Sequence, residues 1–418
     1  MQRTDTESKR LVLTLAAVAA IAFAVRIIAA LLLDGFHHPD TDESAVIARN
    51  MLAGRGFTYT YFGIVYQSYQ APLPAWLGAV SYWLTGSLVF VMTVQILAGT
   101  ALAVVTAALA HRLFAGWIAP LAAGMLVAVH PGLVVYNAWK FHALSFDALF
   151  FALALLQSFR LAERPSARRG MQLGVIVGLG LLSRPTILVF LPLTAVWLLL
   201  TTPAAARRAA VGSMVVAALC MVAVVTPWTI RNYLVHDQFV LILTTDSELL
   251  WRGSNPYASG SAYVADNRTV ISMLPANELR DLEQQPDELA QAQWFRTRAI
   301  AFIQNDPAAF TRLVLRKFVI FWSYSSTTGQ LYPRAWFHAY MAYYVLVMLL
   351  VVVGARRILQ SRDRRVPLLL LLGAFVIGLS VLQSLYYVDG RHRWAVEPML
   401  LALTGGGVAA LLGWRREF

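Results

Sequence analysis

The chain has 418 residues, of which 58% are hydrophobic and only 13% are charged, and its mean hydropathy is +0.60. Globular domains average about 25% charged residues, so this composition excludes a soluble globular protein and indicates an integral membrane protein. The formal net charge of +12 does not indicate nucleic-acid binding, because much of the basic excess lies in short loops between apolar segments.

Ten apolar segments predict about ten transmembrane helices. The first is too long for a signal-peptide core and no small-residue cleavage pattern follows it, so we expect it to be retained. The fifth and sixth flank Ser183-Arg184-Pro185, which predicts two short helices joined by a tight turn; a single kinked helix is the alternative. The ten segments are residues 11–33, 87–110, 117–135, 143–159, 171–183, 186–201, 209–227, 339–354, 367–386 and 394–413.

Basic residues occur in alternate short connections between these segments, and the positive-inside rule places such connections and both termini in the cytoplasm. The acid-rich loop 34–86 and the long segment 228–338 then lie outside. The chain divides into an N-terminal membrane domain (1–227), a small extracytoplasmic cap (228–338) and C-terminal membrane helices (339–418). The basic residues that set this orientation are Arg3, Lys9, Arg10, Arg112, Arg160, Arg164, Arg168, Arg169, Arg207, Arg208, Arg356, Arg357, Arg362, Arg364, Arg365, Arg415 and Arg416.

The first outer loop contains two predicted helices. "DESAVIARNMLAGRG" has apolar residues at helical spacing, Asp42 or Ser44 as N-cap, and Gly54 and Gly56 as stop signals. "APLPAWLGAVSYWLTG" is apolar and aromatic with prolines at its start. Helices of this kind lie in or near the membrane interface.

The same loop carries an acidic cluster, although acids are scarce elsewhere in the chain. Asp34, Asp40, Asp42 and Glu43 fall within ten residues. An acid at the membrane boundary can act as a general base, and the D-x-D spacing of Asp40 and Asp42 suits a divalent metal such as Mg or Mn. The alternative is that one of these aspartates only caps the following helix.

A set of basic residues is predicted to lie in the same outer layer, and each could hold a phosphate or diphosphate. The alternative for each is a side chain that contacts lipid headgroups. No nucleotide-binding glycine loop, H-E-x-x-H motif or convincing serine or cysteine nucleophile is present. The basic candidates are Arg26, Lys140, Arg184, Arg231, Arg391 and Arg393.

A series of segments along nearly the whole chain resembles one family of enzymes. In order, the segments are "ARNMLAGRGF", "YQAPLPAWLGAVSYWLTG", "GLGLLSRPTILVFLPL", "TPWTIRNYLVHDQFVLILTTDSELLWRGSNPYASG", "RAIAFIQNDPAAFTRLVLRKFVIFW" and "RHRWAVEPMLLAL". The series looks like the polytopic glycosyltransferases of the GT-C fold. The nearest branch looks like the bacterial group similar to protein O-mannosyltransferases and lipid A aminoarabinose transferases.

The resemblance implies an all-α polytopic fold with outer interfacial helices and a small extracytoplasmic cap. It implies a sugar donor linked to a polyprenyl phosphate, basic residues around that phosphate, and an outer-loop aspartate as base, which falls on Asp42 with Asp40 and Glu43 as neighbours. The usual "PPL" of the second loop helix reads "APLP" here, and Ser44 and Ala45 stand where relatives place an aromatic. The resemblance leaves open which acid is the base and whether a metal takes part.

Together these observations predict a membrane glycosyltransferase of the cell envelope. It would move a hexose or pentose, with inversion, from a polyprenyl-phosphate donor to a glycan, lipid or protein hydroxyl on the extracytoplasmic side of the cytoplasmic (inner, plasma) membrane. Expected partners are that donor, the acceptor and membrane lipids, and no nucleic acid. The alternatives are a lipid-linked-saccharide binding or transport protein without transfer chemistry, and a glycan ligase that uses a lipid-diphosphate donor.

Overall fold

A computed structural model of the chain describes residues 2–264, 268–323, 334–363 and 365–413, and these contain eighteen α-helices and four short strands. The predicted cytoplasmic Arg364, Arg415 and Arg416 lie outside the described residues. The helices are α1 (Gln2–Leu32), α2 (Glu43–Leu52), α3 (Pro72–Thr85), α4 (Val89–Leu113), α5 (Ile118–Ala128), α6 (Pro131–Ala138), α7 (Leu144–Glu163), α8 (Ala167–Ser183), α9 (Phe190–Thr201), α10 (Ala204–His236), α11 (Asp246–Gly253), α12 (Ala276–Glu283), α13 (Glu288–Asn305), α14 (Pro307–Trp322), α15 (Arg334–Ser361), α16 (Arg365–Leu385), α17 (Gly390–Trp394) and α18 (Glu397–Leu411).

The helical membrane architecture predicted from the sequence is confirmed. By length and composition, six helices in the described part of the chain could each cross a membrane, namely α1, α4, α7, α10, α15 and α16. The bent pair α5 and α6 would make a seventh span, and two shorter apolar helical segments, Pro185–Thr201 and Glu397–Leu411, accompany them. The predicted number of ten spans stays a prediction.

The span predicted over residues 117–135 consists of two helices, since the chain bends by 55° between α5 and α6. Pro131 starts α6, where its missing N–H would have no helical partner in any case. His130 caps that start, and its Nδ1 accepts a hydrogen bond of 3.1 Å from the Leu133 N–H. Helix α6 then leads to the connection that carries Lys140.

The break at Ser183-Arg184-Pro185 is confirmed as a turn between two helices. Helices α8 and α10 run parallel, since Gly170 packs on Ser213 and Gly174 packs on Ala217, so the pairs advance together along both chains. The segment between two parallel neighbours must return across the molecule. That return consists of a 3-10 turn at Pro185–Val189 followed by α9.

The first outer loop is held against the membrane helices at its start. Strand β1 (Asp40–Thr41) pairs in parallel with β4 (Lys140–Phe141), which joins this loop to the connection between α6 and α7. Asp42 then caps α2, as predicted. A hairpin of β2 (Tyr59–Tyr61) and β3 (Ile64–Tyr66) leads to α3, which ends at the left-handed Gly86.

Helices α11 to α14 form most of the segment predicted to be a cap. Trp251, Trp294 and Phe295 form the centre of its own small apolar cluster. The cap also contacts the membrane helices, because Ser261 Oγ donates a 2.9 Å hydrogen bond to Asp389 at the start of α17. This contact holds the loop that carries Arg391.

Candidate active site

Asp42 lies at the junction of β1 and α2, where capping fixes its position. Its Oδ1 accepts a hydrogen bond of 2.9 Å from the Ser44 N–H. Burial, followed by the charge of Glu43, raises the pKa of Asp42 from 3.8 to about 6, while Ser44 and the Arg391 guanidinium act in the opposite direction. The capping role and a chemical role are therefore compatible, because this carboxyl can exchange a proton near neutral pH.

Three of the predicted basic residues act on one imidazole, that of His142, and one of the three also acts on Asp42. Burial lowers the pKa of His142 well below its usual value, and the positive charges of Arg391, Arg184 and Lys140 lower it further. These three cations therefore lie within electrostatic range of one imidazole, and Arg391 also acts on Asp42. They come from three different connections, after α16, after α8 and after α6, so only the fold assembles them.

Each of the three cations has a carboxylate neighbour but keeps part of its surface open. Arg391 lies 3.5 Å from Asp389, and its side chain is 36% exposed. Arg184 lies 3.8 Å from Asp147 and is 25% exposed. Lys140 forms an ion pair with Asp40 and is 30% exposed. The exposed fractions allow each cation to contact a further anion.

Two histidines and one aspartate of this cluster were not predicted from the sequence. His142 Nδ1 accepts a 3.0 Å bond from the Leu144 N–H, and His392 Nδ1 accepts a 3.3 Å bond from the Asp389 N–H. Burial and the neighbouring cations lower the pKa of His392 well below its usual value, so both rings are neutral. Asp147 accepts a 2.7 Å bond from Ser183 Oγ. A single acid in the first turn of an apolar helix was the available signal for Asp147.

Two predicted phosphate-binding arginines are instead fully buried in protein contacts. Arg26 donates to Asn137 Oδ1 at 2.9 Å and to backbone carbonyls of α1 and α5. Arg393 lies 3.6 Å from Glu397 and donates to the Phe321 carbonyl at 2.9 Å. Neither presents an open surface to a ligand, because an arginine inside a membrane protein first satisfies its own donors. We do not include them in the site proposed below.

Arg231 has a separate set of contacts on the first outer loop. Its guanidinium donates to the Gln67 carbonyl at 2.7 Å and lies 4.8 Å from the ring centre of Trp228. These contacts attach the end of α10 to the outer loop. They do not place Arg231 among the cations around His142.

The predicted metal ligands do not form a complete metal site. Asp40 forms an ion pair with Lys140, and Asp42 uses one oxygen to cap α2. No group of three or more His, Cys, Asp or Glu side chains in the described ranges is arranged to hold a metal ion. We therefore derive no chemical step through a metal.

The fold defines the class, which is the GT-C fold of membrane glycosyltransferases. Residues 69–230 match the sequence model of the family described as dolichyl-phosphate-mannose-protein mannosyltransferase. The matched residues begin just after the β2–β3 hairpin and end within α10, and they include Lys140 and Arg184.

One solved structure supports the same fold. The oligosaccharyltransferase of Archaeoglobus fulgidus, solved in complex with Zn and sulfate, is 13% identical and superposes with a TM-score of 0.60. The match covers 96% of this chain and 49% of that protein, so the chain spans about half the length of its structural relative. No curated protein sequence matches this chain significantly.

A second solved structure is more distant. ArnT of Cupriavidus metallidurans, bound to undecaprenyl phosphate, is 16% identical with a TM-score of 0.44. The match covers 94% of this chain and 77% of that protein.

Proposed function

We propose that the protein is a membrane glycosyltransferase that takes a sugar from a polyprenyl-phosphate donor and transfers it to an acceptor hydroxyl. The observation that carries the proposal is a carboxyl with a pKa of about 6, Asp42, under the influence of Arg391, which together with the partly exposed Arg184 and Lys140 acts on His142. The GT-C fold and the family match over residues 69–230 support the reaction class.

The cations would bind the phosphate of the donor. Arg391, Arg184 and Lys140 come from connections at the ends of apolar helices, so a phosphate held there leaves its prenyl chain beside the membrane helices. Guanidinium groups form charge-assisted, often bidentate hydrogen bonds with phosphate oxygens. Neutral His142 and His392 add polar groups without adding charge.

The reaction would be a displacement at the anomeric carbon with inversion. The acceptor oxygen forms a bond to that carbon, the bond from the carbon to the phosphate oxygen breaks, and its electron pair leaves with the phosphate. The acceptor proton passes to Asp42. Because negative charge grows on the leaving phosphate, the cations stabilise the transition state more than the ground state.

We place the reaction on the extracytoplasmic face of the cytoplasmic membrane, since the positive-inside rule puts the loop of Asp42 outside. The sugar would be a hexose or a pentose. A binding or transport protein without transfer chemistry is the second candidate, and it would have no use for a proton acceptor beside the phosphate-binding cations.

The experiment that tests the proposal measures transfer from a labelled polyprenyl-phosphate sugar in membranes, with and without EDTA. Asp42→Asn should lower transfer by about 10²–10⁴-fold, the usual contribution of a proton-transfer group, while asparagine still caps α2. Asp34→Asn is the matched control, because Asp34 is exposed, bonds only His38 among the described side chains, and its left-handed backbone tolerates asparagine.

Near-normal transfer by the Asp42→Asn protein would refute the role of Asp42 as base. The corresponding variants Glu43→Gln and Asp40→Asn then decide whether a neighbouring acid takes the proton. Donor binding without any sugar release by the unmodified protein would favour the transport alternative.

A further inference from the structure

Helix α14 carries a basic face whose function the proposed transfer reaction does not explain. Arg312 and Arg316 lie one turn apart, are exposed, and have no carboxylate partner among the residues that the structure describes. They line a recess of about 530 Å³ whose opposite wall is the loop after α11, including Asn255. The recess therefore holds two cations without a described ion pair, although the carboxylate of Asp306 also lines it.

The contacts of α14 fix the depth of this recess relative to the membrane. Lys317 Nζ lies 3.5 Å from the carbonyl of Leu385, the last residue of α16, and Trp322 Nε1 donates a 2.9 Å bond to Ser380 Oγ, farther inside α16. Because α16 is a candidate membrane span, α14 descends beside it from the membrane boundary. Arg312 and Arg316 precede this descent, which would place them near the level of the lipid headgroups.

Exposed apolar side chains alternate with the arginines along α14. Leu315 and Val319 are 62% and 60% exposed, and they follow Arg312 and Arg316 by three residues each. A helix surface that carries both basic and exposed aliphatic side chains suits the boundary between lipid headgroups and acyl chains. A soluble anion would not require the exposed aliphatic pair.

We propose that this recess binds the phosphate of a membrane phospholipid, with Arg312 and Arg316 as its ligands and the acyl chains along Leu315 and Val319. Asp306 also lines the recess, where its Oδ1 caps α14 by accepting from the Ala309 N–H at 2.8 Å. A carboxylate at that place favours a headgroup that carries an amine or hydroxyl beside its phosphate. The site is distinct from the cations around His142.

The test measures lipid retained by the purified full-length protein, by native mass spectrometry, after exposure to phosphatidylglycerol or phosphatidylethanolamine. Arg312→Gln/Arg316→Gln should retain at least tenfold less phospholipid than the unmodified protein. Arg312→Lys/Arg316→Lys should retain an intermediate amount, because lysine holds phosphate as a point charge. Arg280→Gln is the matched control, since it removes one exposed cation from α12 in the same segment.

Equal retention by the double glutamine variant and the Arg280→Gln control would overturn the proposal. It would also be overturned if inorganic phosphate alone displaced the lipid, or if the double variant lost binding of polyprenyl phosphate while it retained phospholipid. Melting midpoints of all variants are compared first, and if the glutamine pair does not fold, the single Arg316→Gln variant replaces it. Retention is measured without donor turnover, so its result is independent of the transfer reaction.

Discussion

At the scale of single residues, the site depends on charges whose protonation the fold controls. Asp42 is held by a capping bond and raised in pKa by burial and by Glu43, whereas His142 and His392 are kept neutral by burial and by the neighbouring cations. The result is one carboxyl that can take a proton near pH 6, beside imidazoles that cannot compete for it.

The pH dependence of transfer follows from the pKa of Asp42. As a base it must be deprotonated, so turnover should rise as the pH increases through about 6 and then level off. The measurement is the pH profile of transfer by the unmodified protein and by Asp42→Asn. The residual activity of the variant should lack that inflection, and a shared inflection would assign it to another group.

The same pKa shift predicts that the contribution of Asp42 to stability falls as the pH rises, whereas turnover increases. The folded protein holds the Asp42 proton more tightly than the unfolded chain, whose carboxyl titrates near 3.8. The contribution of Asp42 to stability is therefore greatest below pH 4 and falls as the pH rises through 6. Thermal unfolding of Asp42→Asn should lose this part of the pH dependence, whereas Asp34→Asn should keep it.

The sequence predicted which residues lie near the membrane boundary but not which way they face. Asp42, Lys140, Arg184 and Arg391 all follow or precede helices, and their shared role in one site stays a prediction. Arg26 occurs at a similar predicted depth but is buried against Asn137, since depth along a helix does not reveal the partner on the neighbouring helix.

At the scale of elements, close helix packing depends on glycine where α8 meets α10. A Cβ on Gly174 would lie 2.2 Å from the Ala217 carbonyl oxygen, and one on Gly170 would lie 2.1 Å from that of Ser213. Small residues at four-residue spacing allow two membrane helices to approach closely. The sequence showed an apolar helix here, but it did not identify the partner or the parallel direction.

Replacement of Gly174 by valine should force α8 away from α10. We expect the unfolding free energy to fall by about 1–3 kcal/mol or more, because the clash is with backbone and cannot be relieved by a side-chain rotation. Gly212→Val is the control, since no atom lies within 4 Å of a Cβ at that position of α10. The measurement is the melting midpoint in detergent, and equal midpoints for the two variants would contradict the packing.

At the scale of the whole molecule, the cap, the first outer loop and the end of α10 meet at one buried carboxylate. Glu288 accepts hydrogen bonds from the Gln67 N–H at 2.8 Å and from Thr244 Oγ1 at 2.7 Å, and it lies 3.3 Å from His236 Nε2. The outer loop then continues to Gln70, whose amide donates to Ser44 Oγ at 2.9 Å beside Asp42. The position of the proposed base therefore depends on how the cap is attached.

Glu288→Gln should weaken that attachment with almost no change in volume. Both carboxylate oxygens of Glu288 accept hydrogen bonds from N–H or O–H groups. In glutamine an NH₂ group replaces one of these oxygens, so two donors would face each other without an acceptor. An unsatisfied buried donor costs about 1–3 kcal/mol, so the melting midpoint and the rate of transfer should both fall. Glu283→Gln, at an exposed position of α12, should change neither. If Glu288→Gln lowered the midpoint but left transfer unchanged, the cap would stabilise the protein without positioning Asp42.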